Sequence, residues 1–402
     1  MRSVKGPRVL RKRLLTAGVA FSCLSLALVP NAAAAASPVQ LGSLRETTNQ
    51  YPSSLQGSFS FYSGADTNIA TLWQRTIIPA FNRLYPHIKI NYVLSEHGAN
   101  DVATLDRVAV AVKDHRPSGY ALLESGTNAV ELGARQGLFI PVTTTAIPNS
   151  ANVPKAEMVV VNYDAVPYRG SKVVLAYNSK SVPNPPKTLA QLISWIGSHP
   201  GKFAYCNPTG GGSGQYFIED VLDSYMSPAA VARLAFSDVP ALEKGWAPGM
   251  AELHKLNADV YGSGTYPTGN TQVLALLASG AAEMATVWSD QGTQALKDGQ
   301  LPSSVKLGEV TPPFAGSPVY LGVPRYTPQD QVRLVDAFLN FVLSVPVQTD
   351  IVKTVDGFPG VSLNVMPQSV RSEFGQLGQA EALPYSADVV SDMERVWQQD
   401  VP

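Results

Sequence analysis

"SFSFYSGADTNIATLWQRTIIPAFNRLYPHIKINYVL" occupies residues 58–94, and its reading decides the fold. Ser58–Gly64 alternates apolar and polar residues, as a strand does. Leu72, Trp73, Ile77, Phe81 and Leu84 then recur at helical spacing. His87–Leu94 alternates again, so the stretch predicts a β-α-β unit and with it a parallel sheet.

Outward from this unit the same alternation continues. Tyr120–Glu124 reads as a strand and Thr127–Gly137 as a helix stopped by glycine. Ser171–Lys180 is a long apolar strand, followed by a helix over 188–201 and a strand over 202–206. The loop "NPTGGGSG" (207–214) leads into a helix ending near Met226. Helix 271–280, strand 283–289, strand 319–324 and the strongly periodic helix 329–344 complete the pattern. Strand and helix alternate throughout, and the class is α/β.

The first 36 residues differ from the rest. Arg2, Lys5, Arg8, Arg11, Lys12 and Arg13 form a basic head, Leu14–Val29 is apolar, and Asn31–Ala36 is a small-residue stretch. This predicts a secretory signal peptide over 1–36, cleaved after Ala36, and an exported protein, periplasmic or extracellular. A membrane anchor is the rival, but the apolar run is short for a span of about 20 residues. Cys23 has a poor lipoprotein lead-in in Ala20-Phe21-Ser22. Residues 37–57 are polar and without period, and read as a linker.

The chain carries 30 basic and 31 acidic residues, and all six charges of the leader are basic, so 24 and 31 remain without it, a net charge of −7. That balance excludes a basic nucleic-acid surface. Cys206 is then the single cysteine, so no internal disulfide forms.

In an open α/β sheet, ligands sit beyond the carboxyl ends of strands, at helix starts. Four such junctions share small residues and hydroxyls: Ser63-Gly64-Ala65-Asp66-Thr67, Ser125-Gly126-Thr127-Asn128, Thr209 through Gly212, Ser213 and Gly214, and Trp288-Ser289-Asp290-Gln291. Each offers free helix N–H groups. Ser, Thr, Asp and Asn are also ordinary helix caps, and one junction alone means no more than that. Four of them point to a shared cleft. Trp288 and Tyr320 add aromatic surface at strand ends, or else pack in the core.

Catalytic patterns are missing from the sequence. His87, His97, His115, His199 and His254 show no metal-ligand spacing, and no metal or cofactor is expected. "GGGSGQ" has Gln215 where a nucleophile elbow needs glycine, and it is neither a P-loop nor a dinucleotide fingerprint. Ser303-x-x-Lys306 follows Pro302 in a polar turn with no K-T-G element downstream. A secreted hydrolase using Ser213, or a carboxylate pair such as Glu124 and Asp290, is the alternative function.

"AFNRLYPHIKINYV", "VVLAYNSKSVPNPPKTLAQL", "KFAYCNPTGGGSGQYFI" and "LLASGAAEMATVWSDQG" together resemble the extracellular solute-binding proteins of ABC importers (type 2 periplasmic binding proteins). The similarity is to the group that includes ferric-iron, thiamine and polyamine binders, and spans about Ser58 to Phe358. It implies two α/β lobes, with residues 58–175 and 315–402 in the first and 176–314 in the second. Ser171–Asn178 and Pro313–Tyr320 would be the crossovers. It further implies a monomer that binds a small-molecule solute in the cleft and delivers it to a membrane permease. A sensor that hands its closed form to a receptor would read the same way. The adjacent tyrosines typical of ferric binders are lacking. Asp66, Glu124 and Asp290 with Trp288 and Tyr320 favour a cationic or polar organic solute.

Overall fold

The structure, a computed structural model, describes residues 51–209, 212–235, 237–374 and 384–402. The expected signal peptide, the expected linker up to residue 50, and Gly210 and Gly211 lie outside the described residues. Nine strands form one strongly mixed sheet: β1 (Gly57–Ser63), β2 (Ile88–Leu94), β3 (Leu122–Gly126), β4 (Ala165–Asn178), β5 (Phe203–Ala204), β6 (Met284–Trp288), β7 (Val305–Gly308), β8 (Gly316–Gly322) and β9 (Phe358–Pro359). The order is β2-β1-β3-β8-β4-β6-β5, with β7 and β9 also on β4.

The stretch that decides the fold behaves as its periodicity requires. β1 and β2 pair in parallel from Gly57↔Ile88 to Ser63↔Leu94. The connecting helical run, Thr67–Leu84, contains a π-helical segment, Leu72–Ile77. It buries Leu72, Trp73, Ile77 and Phe81 against Phe61 and Phe338. Burial of each such side chain stabilises by about 1.5–3 kcal/mol.

The sheet is not all parallel, as the sequence led us to expect. β8 lies antiparallel between β3 and β4. It enters the first lobe only after the chain returns from the second, so it runs against its neighbours.

β4 is the element that makes two lobes. Ala165–Lys172 pairs with β8, while Val173–Tyr177 pairs with β6. The largest core of the first lobe gathers Phe59, Phe61, Trp73, Phe81, Phe338 and Phe341; the largest of the second gathers Val173, Leu175, Phe203, Phe217, Trp246 and Trp397. The apolar helices Gln329–Val342 and Val345–Val355 meet at 68°, and their apolar faces pack into the first core. No single described helix is long and apolar enough to cross a membrane.

Two expectations about the ends need correcting. Tyr51 and Leu55 pack on the first core, and Tyr51 OH donates to Ala146 O at 2.5 Å, so this part of the expected linker is docked. The segment 315–402 does not stay with the first lobe. Tyr385, Val389, Val390, Met393, Trp397 and Val401 insert into the second core. The helix Ala387–Asp400 also touches the first lobe, where Arg135 Nη1 donates to Asp388 Oδ2 at 2.6 Å. Its apolar spacing is compatible with either lobe, which is why sequence alone placed it wrongly.

Candidate functional site

A cavity of about 320 Å³ lies between the lobes. The first lobe supplies Gly64, Asp66, Asn68, His97, Asp101, Glu124, Ser125, Gly126, Thr127 and Asn128. The second supplies Gly212, Gln215, Tyr216, Asn270, Trp288, Asp290 and Gln291. Arg169 and Ser171 reach it from β4, and Ser391 and Glu394 from the last helix.

The junctions thus contribute unequally. Gly64, Asp66, Ser125, Gly126, Thr127, Asn128, Gly212, Trp288 and Asp290 share the cavity. Ser63 lies one layer behind, donating to Glu124 Oε2 at 2.5 Å. Thr67 is exposed at a helix start. Thr209 is exposed too, and its hydroxyl accepts from Gln398 Nε2 at 3.1 Å. Ser213 is fully buried, bonding Asn270 Oδ1 at 3.0 Å and Thr286 O at 2.9 Å. Gly214 sits where a Cβ would strike the Cys206 backbone. Tyr320 is core, with its OH donating to Glu157 O at 3.0 Å.

A buried polar network forms the floor. Glu124 Oε2 also accepts from Trp73 Nε1 at 2.8 Å, and Glu124 Oε1 accepts from Tyr168 OH. Arg169 Nε donates to Tyr168 OH at 2.9 Å and Nη1 to Asp290 Oδ2 at 3.1 Å. Ser171 Oγ donates to Asp290 Oδ1 at 2.6 Å. A register shift in β4 between Pro167 and Arg169 explains the geometry. A bulge re-aims adjacent side chains that would otherwise face opposite ways. Tyr168 and Arg169 therefore meet on one network. Burial pushes the Glu124 carboxyl up, against Arg169 and the bonds from Ser63, Tyr168 and Trp73. Asp101 is pushed up to about 6 by burial, opposed by its bonds from Tyr62 OH and Ser125 Oγ at 2.7 and 2.9 Å.

Sequence reading passed over His97, Asp101, Arg169 and Asn270. The stretch Ser95-Glu96-His97-Gly98-Ala99-Asn100-Asp101 follows β2 just as the other junctions follow their strands, and was legible on the same composition. Arg169 and Ser171 share one face of β4, but that strand starts six residues before the expected Ser171.

Behind Gln215, whose Nε2 donates to Glu219 Oε1 at 2.7 Å, the helix Ser213–Asp223 buries Glu219 and Asp220, and Tyr385 bonds Glu219 through its N–H and the half-buried Asp223 through its hydroxyl. Burial pushes Glu219 up to about 8. Below the ordinary value of 4.5 the folded and unfolded chains are both protonated. Between 4.5 and about 8 only the folded chain keeps the proton, so stability falls as pH rises through that window. Glu219→Gln is expected to match the native chain in acid and to exceed it above the window, by roughly 1.4 kcal/mol for each pH unit that the window spans. Urea melts at pH 5 and 9 measure this, and parallel losses at both would refute it.

Two lobes on a shared strand with a polar cavity between them are the architecture of a solute-binding protein. Ser213 Oγ, the hydrolase candidate, is tied to Asn270 Oδ1 and the Thr286 carbonyl, with no basic nitrogen among its described partners. Residues 65–349 match the family of bacterial extracellular solute-binding proteins, and the chain belongs to that family. It is a binding protein rather than an enzyme. No curated protein matches the sequence significantly.

Solved structures share the fold. An ABC transporter substrate-binding protein from Bradyrhizobium japonicum is 19% identical, with a TM-score of 0.65 over 86% of this chain and 100% of that one. A GABA receptor is 18% identical, with a TM-score of 0.64 over 85% and 97%. The spermidine/putrescine ABC transporter substrate-binding protein from Streptococcus pneumoniae is 12% identical, with a TM-score of 0.61 over 86% and 99%.

Proposed function

We propose that this chain is the substrate-binding component of an ABC importer. It captures a small cationic or polar organic solute between its lobes and delivers it to a membrane permease. The observation that carries the reading is the cavity's surplus of carboxylates over cationic groups. Asp66 Oδ1 lies 3.6 Å from His97 Nδ1, and Gln291 Oε1, Asn68 Oδ1 and Asn68 Nδ2 are buried there without hydrogen-bond partners. Buried polar groups left unpaired are costly, so a polar solute gains what they lack. Asp66, Asp101, Asp106, Glu124, Asp290 and Glu394 face only Arg169 and His97 as cationic groups, and Arg169 is paired with Asp290. An anion would meet net repulsion. Trp288 and Tyr216 stand edge to face at 5.2 Å and offer ring surface to an organic cation. Two structural relatives are named for amines, GABA and spermidine/putrescine, which agrees with a small amine.

A thermal-shift screen of thiamine, polyamines, amino acids, sugars and phosphonates tests this. A cationic binder at a hundredfold excess over Kd is expected to stabilise by about 2.7 kcal/mol. Trp288→Ala is expected to abolish the shift. A shift with phosphonates alone would overturn the cationic reading.

A further inference from the structure

The lobes meet at a part-buried polar contact on the rim of the solute cavity. His97, on the loop after β2, is wedged between two second-lobe glycines. A Cβ on Gly212 would stand 2.9 Å from its Cε1, and one on Gly269 would stand 2.8 Å from its Cδ2. Gly212 has φ +86°, a conformation that favours glycine. Asn270 follows Gly269 and faces the wedge. Its orientation is fixed from behind, because Oδ1 accepts from Ser213 N at 3.1 Å and Ser213 Oγ at 3.0 Å. Its Nδ2 therefore points across the cleft, 3.1 Å from Asp66 Oδ2 and 3.3 Å from His97 Nδ1, while Asp66 Oδ1 lies 3.6 Å from that same ring nitrogen.

An amide nitrogen has two hydrogens, and an imidazole nitrogen accepts only when it carries no proton. We propose that Asn270 bolts the lobes together by donating to Asp66 and to the neutral ring of His97, so that protonation of His97 withdraws the bolt and opens the cleft. The inference goes beyond solute capture and does not depend on which solute binds.

The charges around the ring fix the sign. Burial lowers the affinity of His97 for a proton, while Asp66, Glu96 and Asp101 raise it and prevail. Those three carboxylates belong to the same lobe as His97 and remain beside it when the lobes part. The covering glycines and the Asn270 donor belong to the other lobe and do not. From that side the Cys206 thiol stands behind Gly212; burial pushes it up to about 11, and it stays neutral. Closure thus weakens proton binding, and acid favours the open form. Each unit by which closure lowers the ring's pKa shifts the open-to-closed ratio about tenfold below it.

Spin labels at Lys113→Cys and Lys255→Cys, both on exposed positions of different lobes, read the interlobe distance in protein without added solute. The short distance at pH 8 is expected to give way to a longer one at pH 5. His97→Asn keeps an acceptor that does not titrate, and should hold the short distance at both pH values. Asn270→Asp sets a carboxylate against Asp66 that only a protonated ring can bridge, so the response should reverse. Gly269→Ala displaces the ring and should give the long distance at both pH values. A native-like pH response in His97→Asn, or an unreversed one in Asn270→Asp, overturns the proposal. So does a short distance in Gly269→Ala. Because no solute enters the experiment, its outcome is independent of the thermal-shift screen.

Discussion

Arg169→Met is expected to cost about 3–5 kcal/mol of stability, the range for removing one partner of a buried ion pair. Arg169 is 8% exposed and Asp290 is 3% exposed, so the surviving carboxylate would stay out of water. It would keep its hydrogen bond from Ser171 but lose its only guanidinium. Tyr168 OH, which accepts from Arg169 Nε and donates to Glu124, would lose its orientation as well. The same substitution leaves the cavity wholly acidic apart from His97. A cation should then bind no less tightly per folded molecule, while the Tm falls by about 5–10 °C. The double variant Arg169→Met/Asp290→Asn should recover a large part of the loss, since the orphaned charge is gone. Strictly additive losses in urea melts would show that the two groups do not act as a pair.

The second large effect falls on the glycine loop. A Cβ on Gly214 would lie 1.9 Å from the Cys206 carbonyl oxygen and 2.9 Å from its carbonyl carbon. Both are backbone atoms next to β5, and they cannot swing aside as a side chain does. Gly214 N also donates to Cys206 Sγ at 3.2 Å, which seats the helix start directly on that strand. Gly214→Ala is expected to lose 3 kcal/mol or more, about the upper end for overpacked sites. Gly126→Ala is the control: it lines the same cavity, has φ −64°, and a Cβ there meets nothing within 4 Å. Equal urea midpoints for the two variants would refute the close-packing account.

This distinction also shows what sequence could and could not reveal about the loop. Three glycines between a strand and a helix announce a close approach, but not to what. Gly212 serves the cleft, whereas Gly214 serves helix-to-strand packing inside one lobe. The apolar periods of residues 58–94 were legible because each element buries one face. Trp288 and the junctions at Gly64 and Ser125 were legible from their position after strands. Tyr320 misled because an aromatic at a strand end satisfies core and cleft alike, and only its partner, Glu157, decides. Arg169 and Asn270 were hidden for a different reason. Their meaning lies in partners 121 and 204 residues away, Asp290 and Asp66, which no local pattern encodes.

β4 belongs to both halves of the molecule, one ladder over Ala165–Lys172 and another beginning at Val173. Melting either half would strip hydrogen bonds from a strand that the other still needs, and the helix Ala387–Asp400 ties the two a second time. Heat should therefore take the protein apart in one cooperative step, with calorimetric and van't Hoff enthalpies in agreement, although each lobe has its own core.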